Sequence, residues 1–171
     1  LIFKTHHGDT LNVIFRDNLY LMDFPSRPPR LLEDLDLSKL HEALGKKPIK
    51  VYTYRDLIAI YDNEDEIRSI SPDMEKLKQL EFPSVVVTSI GRDVDFVSRN
   101  FAPRLGIPED PVTGSTHCEL IPYWSDQLNK KEMIAHQLSE RGGRIYCANN
   151  RDRVSIGGEA VTFLRGEIEL K

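Results

Sequence analysis

Cysteine, tryptophan and long apolar runs are all scarce in this sequence, and each shortage narrows what the chain is. Only Cys118 and Cys147 occur among 171 residues. That is too few for a disulfide-stapled secreted scaffold, and no signal-peptide pattern opens the chain. Both are therefore read as buried free thiols in a reducing, cytoplasmic compartment. No apolar run approaches the roughly 20 residues of a membrane-spanning helix. Clustered positive charge is missing too: 23 Lys and Arg, scattered along the chain, stand against 27 Asp and Glu for a net charge of −4. Phosphate-backbone binding draws on such clusters, so nucleic acid is not an expected partner. An initiator methionine is absent as well. The chain opens on Leu1-Ile2-Phe3-Lys4-Thr5, already strand-like, and reads as one that has lost its beginning.

What is present is a globular composition, 40 % apolar and 29 % charged, sized for one domain or one domain plus a fragment of another. Leu11 to Phe15 and Leu19 to Phe24 predict two strands, with Arg16-Asp17-Asn18 as the turn between them. Pro25, Pro28 and Pro29 stiffen residues 25–30 into a linker, so a domain boundary is placed there: 1–24 as a hairpin, 31–171 as the main domain. Leu32, Leu35, Leu40 and Leu44 predict a helix within 31–44, capped by Asp36 or Ser38 and stopped at Gly45. Strands are predicted over 49–54 and 57–61, and Asp62 to Glu66 reads as a solvated acidic turn. Ser71-Pro72 announces a helix over 72–80. The β-branched run Ser84 to Ile90 predicts a strand buried on both faces, with Asp95 to Phe101 beside it.

Residues 102–115 carry Pro103, Gly106, Pro108, Pro111 and Gly114, and predict a long rigid loop of the kind that carries function. A helix follows, with Cys118, Leu120, Ile121, Trp124 and Leu128 on one face, Ser115 or Thr116 as its cap and Pro122 inside it. Strands are then expected over 134–138, 144–147, 153–156, 160–164 and 167–170, divided by Arg141-Gly142-Gly143, Asn149-Asn150 and Gly157-Gly158. The architecture expected is α/β, a curled mixed sheet or barrel around one central helix.

The chemistry gathers in Glu109-Asp110-Pro111-Val112-Thr113-Gly114-Ser115-Thr116. The first amides of a helix lack partners within it and lie at the positive end of its dipole, so they bind anions such as a carboxylate. Gly114 lets a ligand approach that backbone, and Asp110 stands at the rim, placed to move a proton or to hydrogen-bond a substrate's amine or hydroxyl. The same residues also suit plain structure, Asp110 capping a turn and Ser115 capping the helix. On residue types alone both readings stay open.

Several segments in this order and spacing resemble the C-terminal half of the phenazine-biosynthesis isomerase family: Ser98-Arg99-Asn100-Phe101-Ala102-Pro103, Gly106-Ile107, Glu109 to Ser115, Pro122-Tyr123-Trp124 and Gln137 to Gly143. Tyr20 to Pro25 resembles the hairpin that closes that family's first domain. The resemblance implies the diaminopimelate-epimerase type of fold, two similar domains facing across a cleft, with the last strand able to return to the first domain. It implies isomerisation of a small carboxylic acid by proton transfer, without metal or organic cofactor, commonly in a homodimer. It implies Asp110 and Ser115 as catalytic residues, and Thr113, Gly114, Ser115 and Thr116 as those that bind the substrate carboxylate. The related epimerases carry a thiol where Ser115 stands, which disfavours a two-thiol racemase here. The family's principal acid/base glutamate and its Gly-His motif belong to the N-terminal domain and match nothing in this sequence, so the chain is expected to hold half a site and to be inactive alone.

Other candidates are weaker. Adjacent His6 and His7 would point to opposite faces of a strand and make an awkward metal pair. His117 beside Ser115 lacks the geometry of a base and nucleophile. Arg99 reaches either the cleft or Asp95. Arg141-Gly142-Gly143 reads as a turn and Tyr123-Trp124 as core packing. The rival to an isomerase is a non-catalytic protein-interaction module on the same fold.

Overall fold

The computed structural model describes residues 1–6, 8, 10–33 and 37–169. In chain order the elements are β1 (Ile2–Lys4), β2 (Thr10–Arg16), β3 (Leu19–Pro25), β4 (Arg30–Leu31), α1 (Ser38–Leu44), β5 (Lys50–Thr53), β6 (Leu57–Ile60), α2 (Glu64–Ser69) and α3 (Met74–Lys78). There follow β7 (Val85–Ile90), β8 (Phe96–Ala102), a 3-10 turn (Pro103–Leu105), β9 (Ile107–Asp110), α4 (Gly114–Leu128), β10 (Glu132–Gln137), β11 (Gly143–Asn150) and β12 (Arg153–Gly158). The fold is a mixed α/β one. Its strands form one sheet in the order β1-β2-β3-β12-β11-β10-β8-β7-β6-β5-β4, with β9 added to β8. Neighbours run antiparallel except β6 with β7 and β8 with β10.

Local chemistry explains the turns. Asp17 and Asn18 join β2 to β3 with φ of 52° and 62°, the left-handed pair that a two-residue hairpin requires and that Asp and Asn tolerate. This hairpin docks through β3 on β12, in register Met22↔Ile156 and Phe24↔Val154, and the Arg153 guanidinium grips the Asp23 carboxylate at 2.6 Å.

The sheet curls around α4, in which every residue from Thr116 to Trp124 is buried. One core cluster joins Cys118, Leu120, Ile121 and Trp124 of α4 to Ile58, Val86, Phe96, Ala135, Ile145 and Ile156 of the strands. A second packs Leu40, Leu44, Ile67 and Leu77 of α1, α2 and α3 against Leu57, Ala59, Val85 and Val87 on the other face. Strands β6 and β7 are therefore buried on both sides, as the uninterrupted Val85-Val86-Val87 run predicts. Trp124 stacks on Phe96 and donates its indole N–H to the Thr88 hydroxyl at 3.0 Å, so Tyr123 and Trp124 are core packing. Cys118 and Cys147 are free and buried. Pro122 leaves α4 unbroken: it removes the amide that would bond the Cys118 carbonyl, and the Arg27 amide takes that carbonyl instead at 2.9 Å.

Several expectations are corrected. The predicted helix within 31–44 begins only at Ser38, behind Leu37, and Leu31 is in a strand; Leu35 and Asp36 lie outside the described residues. The acidic turn is the start of α2, where Asn63 accepts from the Glu66 amide and Glu64 is buried against Arg68. Helix α3 begins after Asp73, whose carboxylate accepts the amides of Glu75 and Lys76, so the cap is Asp73 and not Ser71, and Pro72 stands before the helix instead of opening it. The long loop contains β9, whose Pro108 is tolerated because β9 pairs on one side only. Asn149-Asn150 and Gly157-Gly158 lie inside strands; a Cβ on Gly157 would stand 2.6 Å from Leu21 Cδ2. The expected strands after residue 158 do not form among the described residues. No neighbour pairs there, and Val161 and Phe163 stand in solvent.

Candidate active site at the start of the central helix

The segment from Glu109 to Ser115 is held at nearly every residue. Arg99 makes a two-pronged ion pair with Glu109, at 2.8 and 3.0 Å, and also donates to the carbonyls of Ile67 and Ile70. It therefore reaches neither the cleft nor Asp95, which instead pairs with Lys130. The Gln137 amide, buried on β10, donates to the Asp110 carbonyl at 2.6 Å and accepts the Thr113 amide at 2.9 Å. Ser139 donates to the Pro111 carbonyl at 2.8 Å. Val112 packs against Gly143, where a Cβ would collide with its methyl. A loop so tied presents its polar groups in one geometry, which is what a site for charge stabilisation needs.

Thr113 precedes α4 and would ordinarily cap it. Its hydroxyl instead donates to the Asp110 carboxylate and accepts from the amides of Asn100 at 2.9 Å and Gln137 at 3.1 Å. A hydroxyl has one proton and two lone pairs, so nothing remains for the helix. Ser115 and Thr116 do not cap it either. Ser115 accepts from Arg55 at 3.1 Å, and Thr116 donates to Asp56 at 3.1 Å. The first turn of α4 therefore has no side-chain cap, and the space beside Gly114 is open within 4 Å of where a Cβ would sit. Asp110, Thr113 and the uncapped amides are thus brought together at the helix start. No hydrogen bond joins Asp110 to Ser115.

His117 is buried and its Nδ1 bonds the Thr113 carbonyl at 2.7 Å. Burial lowers its pKa and no contact links it to Ser115, so it is no base for that hydroxyl. Among the described residues no cluster of His, Cys, Asp and Glu could hold a metal; His7 lies outside them. Among the described residues no helix is long and apolar enough to cross a membrane.

Sequence reasoning missed the group behind Ser115. Arg55 and Asp56 occupy the turn between β5 and β6, and Glu119 lies one turn into α4. Asp56 and Glu119 are fully buried. The Glu119 pKa is raised to about 7, first by burial and then by the Asp56 carboxylate. Residues 63 positions apart in sequence leave no local spacing to detect.

The family model described as phenazine biosynthesis-like protein matches residues 15–166. The chain belongs to the phenazine biosynthesis-like family. An uncharacterized isomerase of Pseudomonas aeruginosa is 43 % identical over 161 residues, which cover 94 % of this chain and 61 % of the relative. The mouse phenazine biosynthesis-like domain-containing protein 2 is 56 % identical over 188 residues, covering 98 % and 65 %. The crystal structure of a phenazine biosynthesis protein of the PhzF family from Enterococcus faecalis superposes with a TM-score of 0.91 at 42 % identity, covering 99 % of this chain and 65 % of its own. A predicted epimerase from Pseudomonas aeruginosa, 16 % identical with a TM-score of 0.67, shares the fold. The chain spans a little under two thirds of the length of these phenazine biosynthesis-like relatives.

Proposed function

We propose that the chain carries one wall of an isomerase site, at which a proton is moved between carbons of a small carboxylic acid. The observation that carries the reading is the uncapped start of α4 beside an Asp110 carboxylate fixed by Thr113. The substrate carboxylate docks on the amides of Gly114, Ser115 and Thr116. When a proton leaves an adjacent carbon, the charge left behind spreads toward that carboxylate, and the positive end of α4 stabilises it. The proton returns at another carbon and the double bond shifts, so nothing is oxidised and neither metal nor organic cofactor is called upon. Asp110 assists that transfer, and Ser115 holds the carboxylate. In this reading the principal acid/base is a glutamate of the segment by which the relatives are longer, and the completed protein works as a cytoplasmic homodimer.

The test uses the chain joined to that segment, with solvent deuterium entering small unsaturated carboxylic acids as the readout. Asp110→Ala is expected to cut exchange by about 100-fold or more, the scale of a lost acid/base group. The 171-residue chain alone is expected to bind the acid without exchanging it. Undiminished exchange in the variant removes Asp110 from the reaction, and binding of acid nowhere near α4 leaves the fold serving as an interaction module.

A further inference from the structure

We propose that Arg55 is the side chain that makes this site select a carboxylate over an uncharged group of the same shape, a proposal that rests on the helix-start site described above. Its guanidinium is fixed in place. Nε and Nη2 donate to the two oxygens of Asp56 at 3.0 Å each, and Nη2 also reaches the Ser115 hydroxyl at 3.1 Å. Asp56 is itself immobilised: it is fully buried, receives the Thr116 hydroxyl at 3.1 Å, offers its backbone amide to Glu119 and gives its carbonyl to the Thr53 hydroxyl at 2.9 Å. Nothing about the fork is left to rotate.

Two facts separate this arrangement from an ordinary structural ion pair. The Arg55 side chain remains 41 % exposed while its partner is wholly buried, and no described residue accepts a hydrogen bond from its Nη1. Two N–H donors on a planar, held cation thus face outward, one hydrogen bond from Ser115. A carboxylate seated on the Gly114 to Thr116 amides meets that cation directly. Arginine keeps its charge at any working pH, and its free Nη1 donates a charge-assisted hydrogen bond to a carboxylate oxygen, whereas a carboxamide offers no charge to meet it. The helix dipole favours the anion only modestly; the guanidinium adds most of the discrimination.

The experiment titrates the 171-residue chain with benzoate and with its neutral counterpart benzamide, following the backbone amides of Gly114, Ser115 and Thr116 by NMR. Wild type is expected to shift with benzoate and to favour it over benzamide. The variant Arg55→Gln/Asp56→Asn removes cation and buried anion together, so no lone charge is stranded. It is expected to keep the thermal midpoint within a few degrees while benzoate affinity falls about 10- to 100-fold and benzamide affinity stays the same, the scale of charge-assisted hydrogen bonds. Should that variant lose its fold, Arg55→Lys carries the test. It keeps Asp56 paired but cannot make the fork, and a preference for benzoate reduced several-fold is the expected result. An unchanged preference in a folded variant overturns the role of Arg55 while the helix-start site stands. A wild-type chain whose helix-start amides ignore benzoate overturns the site, and the assignment with it.

Discussion

Glu119 is a carboxyl buried one turn into α4, and burial first, then the Asp56 carboxylate, lifts its pKa from 4.5 to about 7. Between those values the folded chain keeps a proton that the unfolded chain has released. Stability from this residue is therefore complete below the unfolded value and is lost as pH rises through about 7. Glu119→Gln keeps the shape and cannot ionise. Its thermal midpoint should exceed that of wild type by several degrees at about pH 8.5 and approach it at about pH 5, with unfolding scans at both values as the check. An advantage independent of pH would place the proton elsewhere. Thr113 makes a second case at this scale. Thr113→Val strips Asp110, Asn100 and Gln137 of their shared hydroxyl, and chemical denaturation should show a loss of about 1–3 kcal/mol, the cost of orphaned buried polar groups. The role of Thr113 was half legible. Its place before a helix could be read from Gly114 onward, but its engagement with Asn100 and Gln137 depends on strands distant in sequence.

Among the elements, those read correctly are the ones whose own residues decide their state. The Val85 to Ile90 run is β-branched at every position but Ser89 and makes a strand wherever it is buried. The Asp17-Asn18 turn supplies its own left-handed backbone. Elements decided by a neighbour were misread. Strand β9 exists because β8 offers an edge that accepts a proline, and the predicted strand at Val161 does not form among the described residues, where no strand pairs with it. Two predictions belong at this scale. Gly143→Ala drives a Cβ into Val112 and must displace either β11 or the Asp110 loop; it should cost about 1–3 kcal/mol in denaturant, as overpacking does, and weaken benzoate binding as well. Arg27→Pro keeps the linker extended but deletes the amide that serves the Cys118 carbonyl. It should cost about 1–3 kcal/mol by the same measurement, the amount for a buried carbonyl left without a donor.

Over the whole molecule, the sheet carries no break at the proline linker. Strands β3 and β12 pair over six registered positions, and the Asp23–Arg153 ion pair clasps them. Hydrogen exchange should therefore protect the amides of β3 to a degree comparable with β12; free exchange of β3 would show the hairpin to be loosely attached. The sequence-based picture of a curled sheet on a central helix matches the structure because α4 carries Cys118, Leu120, Ile121 and Trp124 into one core and every residue from Thr116 to Trp124 is enclosed. The same pairing sets the order of assembly. Asp23 and Arg153 stand 130 positions apart, so the first hairpin emerges during synthesis long before the strand that receives it. It must wait with Met22 and Phe24 uncovered until β12 has been made, which makes its docking a late and slow step in folding and the interval before it the time of greatest exposure to aggregation.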